Sequence, residues 1–261
     1  MALARKKSRR STGWSALRDP DGQFSSGIPD LDRVIGGGFR QGSFALLDLD
    51  ETVDTADLDL LLFPTILNML YHSRGVITVL PSRDSPAAFR ARLTEYVTRR
   101  RFDARVRIVD YVGEAARAPY VVHLQVPRSG GGDAKARAAT QREVAKMVAA
   151  EAAVQGGRKK AYLELSAFEI PDTEVGPEVT ARMVFHGVKR SREAGNLVVG
   201  LLAPGVGASA AIRRMADTEL ALHREDVGLT VRGLRPRFGT HLVLPDPSLG
   251  PPHVVLVPGP A

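Results

Sequence analysis

Short apolar runs alternate with longer stretches whose apolar residues recur every three or four positions, and this alternation organises most of the chain. The runs at 43–49, 75–80, 106–112, 119–125, 160–165 and 196–202 read as strands. Between them, 30–35, 57–72, 85–100, 138–155 and 176–194 carry helical spacing. In 138–155 the stripe is Val144, Met147, Val148 and Ala152, a pattern expected of a helix face turned to the core. Strand–helix alternation predicts a parallel sheet covered on both faces. From 218 onward the alternation stops, and short strands with Gly and Pro turns predict an antiparallel extension, with Val254 to Val257 as a last edge strand. Pro127 to Asp133 reads as a loop by composition.

The junction between the first strand and the long helix is unusual. Asp48, Asp50, Glu51, Asp54, Asp57 and Asp59 put six carboxylates and no base into residues 48–59. A phosphate-binding loop occupies that kind of strand-to-helix junction, where glycine N–H groups and a helix N-terminus face the phosphates. Here a triphosphate would meet repulsion. Aspartates at 54, 57 and 59 fall in or before the first turn of a helix starting near Ala56, where they could cap free N–H groups themselves.

The residues before this junction carry a resemblance. Gly27-Ile28-Pro29, Leu31-Asp32, Gly36-Gly37-Gly38 and Gly42-Ser43 resemble the opening of RecA-superfamily ATPases of the KaiC and RadA type. The resemblance runs over roughly 24–245 and implies a RecA-like P-loop NTPase fold: a mainly parallel twisted α/β sheet flanked by helices, with antiparallel strands at the C-terminal end. It also implies a Walker A loop, GxxxxGK[ST], after the first strand. Laid on this chain, the first Gly falls on Leu49, the second on Asp54, the Lys on Thr55 and the Ser/Thr on Ala56. All four are changed, so the resemblance implies a pseudo-ATPase with no nucleotide cofactor and no catalytic residue. Where the family carries paired glutamates, this chain has Arg83-Asp84. Glu164 stands where the magnesium-associated carboxylate of Walker B would be, though a lone acid at a strand end is more often a plain solvated residue.

Charge adds a second theme. The net charge is +7, and residues 1–18 hold Arg5, Lys6, Lys7, Arg9, Arg10 and Arg18 with no acid. The expectation is a basic disordered arm over 1–22 ahead of one domain over 23–261. Such an arm is either a solubilising tail or an electrostatic anchor for nucleic acid or an acidic partner. Arg99, Arg100 and Arg101, with Arg105 and Arg107, form a second cluster, expected at a helix C-terminus where cations complement the dipole. A third candidate is the glycine-rich stretch Ala203 to Arg214, whose N–H groups with Arg213 and Arg214 could hold DNA phosphates; arginines on the solvent face of a helix start are the plainer reading.

Composition narrows the remaining classes. No cysteine is present, which removes disulfides, thiolate zinc sites and cysteine nucleophiles. Six scattered histidines lack metal-ligand spacing, and no metal site is expected. No apolar run approaches a membrane span, and no secretory signal is read at the N-terminus, so the expected setting is the cytoplasm. Two functions remain: a non-catalytic scaffold, regulator or partner subunit, joined to copies of itself or to an active paralogue, and a nucleic-acid-binding accessory protein of recombination or repair.

Overall fold

The computed structural model describes residues 14–111, 113, 115–124, 134–155 and 161–259, with side chains from 145 onward in the segment 134–155. Strands β3 (Phe44–Leu49), β4 (Val76–Val79), β5 (Val106–Asp110), β6 (Val121–His123), β7 (Leu163–Ala167) and β8 (Leu197–Leu202) run parallel. They continue through β9 (Thr218–Glu225), parallel to β3, into antiparallel β10 (Gly228–Arg235), β11 (Arg237–Pro245) and β12 (Val254–Pro258). The ten-stranded order is β12-β11-β10-β9-β3-β8-β7-β4-β5-β6. A separate pair, β1 (Gln23–Phe24) and β2 (Phe39–Arg40), closes the entry hairpin around α1 (Pro29–Ile35). The expected RecA-like α/β fold with its antiparallel C-terminal end is what the chain forms.

Strand alternation sorts the core into two layers. In β3, Ala45, Leu47 and Leu49 face α2 (Thr55–Tyr71), which lies in the same cluster through Leu58, Leu61, Ile66 and Leu70. Phe44 and Leu46 face the other way, into a layer built with Phe168, Val188 and Ile212. By the same alternation Asp48 belongs to that second face. Gly27 of the Gly-Ile-Pro motif has φ +80°, and a Cβ there would lie 2.4 Å from the carbonyl oxygen of Pro64 in α2. Only glycine lets the entry loop close onto the helix that follows the acidic segment.

Three expectations are corrected. The helix expected over 85–100 is two: α3 (Pro86–Leu93) and α4 (Arg99–Arg105), separated because the Thr98 side chain caps a new N-terminus. The stripe of α5 (Ala134–Gln155) is misplaced by the spacing: Val148 and Ala152 are exposed, whereas Ala150 and Val154 are buried. Helix α6 (Glu169–Val175) was not anticipated. Residues 14–22, grouped with the arm on charge alone, lie on the body. Trp14 is buried against His253, and the Leu17 N–H donates to Asn68 at 2.8 Å. Arg5, Lys6, Lys7, Arg9 and Arg10 lie outside the described residues, as does the loop Pro127 to Asp133. No helix among the described residues is long and apolar enough to cross a membrane.

Candidate functional site

The acidic segment folds into the place the strand-to-helix junction predicts, between the end of β3 and the N-terminus of α2. Asp54 is the N-cap, in extended conformation. Its Oδ1 accepts from the Asp57 N–H at 2.9 Å, and Asp57 Oδ2 accepts from the Asp54 N–H at 3.1 Å. This reciprocal box satisfies donors that a phosphate would otherwise meet. Arg224, at the end of β9, donates to the buried Asp57 carboxylate, which raises the arginine's pKa.

Asp48, Asp50 and Asp59 are held as well, while Glu51 is exposed. Asp48 takes both terminal nitrogens of Arg213, from helix α8 (Ser209–Met215), at 2.5 and 2.6 Å, and Glu219 takes the first of them at 2.8 Å. Asp50 accepts from the Thr52 N–H and hydroxyl, which hold its pKa below the ordinary carboxylate value. Asp59 accepts from Arg92 Nε at 2.6 Å, while both terminal nitrogens of Arg92 go to Asp84 at 3.1 and 2.7 Å. One cation therefore serves two carboxylates. Burial outweighs the shared guanidinium and pushes Asp59 up to about 6. Among the described residues no cluster of His, Asp and Glu could hold a metal ion.

Arg83 and Asp84 reach this site. Arg83 donates to the Val53 carbonyl and tethers the loop, while Asp84 is committed to Arg92 and to the Ser85 N–H. Thr55 and Ala56 open α2, and Leu49 is buried in the core. Glu164 is not at the site. Register aligns it with Val198 and, across β8, with Phe44, so it stands about four residues, roughly 13 Å, short of the strand end that carries the loop. The Walker-B-like placement is corrected accordingly: the strand runs to Ala167, beyond the end read from sequence.

The glycine-rich stretch also differs from its expected role. The N–H groups of Gly207 and Ala208 donate to Asp172 at 2.8 and 3.2 Å, and Arg213 is taken by Asp48 and Glu219. Both candidate phosphate donors are occupied by the protein's own carboxylates; Arg214 is exposed. Arg99, Arg100 and Arg101 lie in the first turn of α4, not at a C-terminus, so the dipole works against them. Sequence reasoning missed Arg92, Asp172, Glu219 and Arg224. Each lies on a different element from its partner, and no local spacing announces such pairs.

A family model described as GvpD basic region 2 matches residues 13–122. Protein GvpD2 and Protein GvpD1 of Halobacterium salinarum (strain ATCC 700922 / JCM 11081 / NRC-1) are 33% and 34% identical over 101 residues, 38% of this chain. That match spans about a fifth of their length, 20% and 19%. Among solved structures, the KaiC-like protein PH0186 from Pyrococcus horikoshii OT3 superposes with a TM-score of 0.57 at 14% identity, covering 90% of this chain and 99% of that one. The uncharacterized protein PH0321 from Pyrococcus horikoshii, in complex with an unknown peptide, gives 0.63 at 17% identity, covering 91% and 100%. These two likenesses establish the fold as KaiC-like.

Proposed function

We propose that this chain is a non-catalytic KaiC-like protein that acts as a regulator, scaffold or partner subunit, with copies of itself or an active paralogue, and turns over no nucleotide. One observation carries the reading: the helix N-terminus that would receive phosphates is filled by the Asp54–Asp57 capping box, with Arg224 paired behind it. A degenerate Walker A loop whose empty space had merely been left open would recover with a lysine. A loop that has become its own anion does not, because ATP must displace two carboxylates held by hydrogen bonds and an ion pair. The match to proteins named GvpD spans this same region through the family model, and a regulatory role is our reading of that kinship.

The test is calorimetry with magnesium ATP on the full chain and on Thr55→Lys. Neither is expected to bind; each lost charge-assisted contact to phosphate is worth about 1.5–3 kcal/mol, and the lysine restores only one. Micromolar binding by the parent chain overturns the reading. Sedimentation velocity should give the same species with and without magnesium ATP.

A second reading keeps one supporting observation. Arg101 stacks on the Tyr71 ring at 4.4 Å, but Arg99 and Arg100 are exposed in a helix turn that contains no acid, where the dipole disfavours them, so their placement has no stabilising rationale within the helix. Nucleic acid would neutralise them. Loss of salt-dependent DNA binding on changing Arg99 and Arg100 to Ser, with Tm unchanged, supports that reading; binding insensitive to the change removes it.

A further inference from the structure

The face of the sheet opposite α2 holds a cavity of about 540 Å³ between β7, α6 and α7 (Pro177–Ala194), within the ~300–1,000 Å³ range of small-molecule sites. Val79, Phe168 and Met183 form much of its apolar wall, and the exposed Arg182, His186 and Arg190 also line it. Glu164 lies among them. The Ser191 hydroxyl donates to its Oε2 at 3.3 Å, and no cation pairs with it among the described residues. The nearby Arg190 is committed elsewhere, to Glu151 at 3.1 Å. Burial raises the Glu164 pKa, and the charge of Arg190 and the Ser191 hydrogen bond offset only part of that desolvation.

One more feature points to a ligand. Gly187 sits in the middle of α7, where glycine is disfavoured relative to alanine. A Cβ there would lie 3.6 Å from Glu164 Oε1, ordinary contact and no clash, so packing does not demand the glycine. What its missing side chain provides is open space over the free oxygen of the carboxylate.

We propose that this cavity is a binding site for a small apolar molecule carrying one protonated amine, with the ammonium on Glu164 and the hydrocarbon along Val79, Phe168, Met183 and Val184. Glu164 is thereby given a role separate from the acidic loop, and the site does not depend on nucleotide being absent there. A carboxylate facing an apolar cavity selects a cation over a neutral or anionic head, because only the cation restores the interactions that burial removed.

The experiment is calorimetric titration of the full chain at neutral pH with octylamine, octanol and octanoate, which share a tail and differ in head group. Octylamine should bind at least about tenfold more tightly than octanol, the worth of one charge-assisted hydrogen bond, with octanoate weakest. Glu164→Gln, nearly isosteric, should bring octylamine and octanol within about twofold of each other, since the charge that separates them is gone. Gly187→Leu should abolish binding of all three by filling the cavity mouth. Equal affinity for the three probes, an amine preference that survives Glu164→Gln, binding unaffected by a folded Gly187→Leu, or no binding of octylamine at millimolar concentration each overturns the proposal.

Discussion

Asp48 and Arg213 are 165 positions apart in the chain and meet as a two-pronged ion pair, 2.5 and 2.6 Å, at the end of the central strand. The strand's alternation turns Asp48 away from α2, and α8 lays its arginine across that face. Arg213 also closes on Glu219, so one guanidinium neutralises two acids on adjacent strands and its pKa rises through those bonds. An arginine of a glycine-rich loop, read in sequence as a candidate for nucleic-acid phosphate, is an internal counter-ion here.

Arg213→Ala should therefore act on stability. The pair is only partly buried, with Arg213 38% and Asp48 22% exposed, which places it between surface pairs and fully buried ones. The expected cost is about 1–2 kcal/mol. Thermal denaturation should record the loss, and DNA affinity measured in parallel should not change. A variant with unaltered Tm and weakened DNA binding would reverse the assignment.

The capping box makes a second claim on stability. Asp54→Ala removes the N-cap acceptor and should cost about 1 kcal/mol, while Asp54→Ser should retain most of it. Asp57→Ala removes the return bond and the partner of Arg224. Because the two aspartates serve each other, the double variant should lose less than the sum of the singles. Denaturant titrations of the three variants check this; raised stability in both singles would mean that the carboxylates repel more than they cap and would favour an acidic docking surface for a basic partner.

What could be read from the sequence and what could not follow different physics. Strand β3, expected over 43–49, is Phe44–Leu49, and α2, expected over 57–72, is Thr55–Tyr71, because apolar periodicity records burial directly. The break at Thr98 was hidden since Arg99 to Arg105 continue the helical pattern, and only the threonine's cap separates the two helices. The acids of 48–59 announced that phosphate is unwelcome. Their partners Arg92, Arg213 and Arg224 come from three other elements, and only the sheet order brings those arginines to one strand end. Glu164 shows the reverse error: its strand was recognised, but its level along the strand depends on register, which a single segment does not encode.

Burial of Asp59 beside an arginine it shares with Asp84 sets a pH dependence. Asp59 has its pKa pushed up to about 6 from 3.8 in the unfolded chain, chiefly by burial. The folded form then holds its proton where the unfolded form has lost it, so this group's contribution is most favourable below about pH 4. It is lost as pH rises through about 6, at roughly 1.4 kcal/mol per unit of difference. Asp59→Asn removes the titration and leaves Arg92 to Asp84. The variant should be more stable than the parent at pH 7 by about 1–3 kcal/mol, with the advantage shrinking towards pH 4. Chemical denaturation at several pH values measures the difference, and a variant less stable at pH 7 would mean that the Arg92 contact outweighs desolvation.

The last prediction separates the basic arm from the body. Trp14, 7% exposed, rests on the His253 ring at a centroid distance of 4.9 Å, and Leu17 is tied at both ends, its N–H to Asn68 and its carbonyl to His72. Two truncations follow from this, one starting at Trp14 and one at Asp21. The first removes Arg5, Lys6, Lys7, Arg9 and Arg10 and keeps the anchor; the second removes both. The Trp14 form should keep the parent Tm, and the Asp21 form should melt lower, because an aromatic side chain, the two Leu17 hydrogen bonds and the contacts of Asp19 with Arg74 and the Ser25 N–H are lost. For short DNA of arbitrary sequence, binding should be weak and independent of sequence, and both truncations should lose it alike. Each phosphate neutralised contributes just under one unit to the slope of log affinity against log salt, so removing five cations should flatten that slope by up to about four units. Filter binding of the three forms at two salt concentrations reads it out. Equal affinity in all three would take the arm out of any nucleic-acid role and transfer the question to Arg99 and Arg100 on α4.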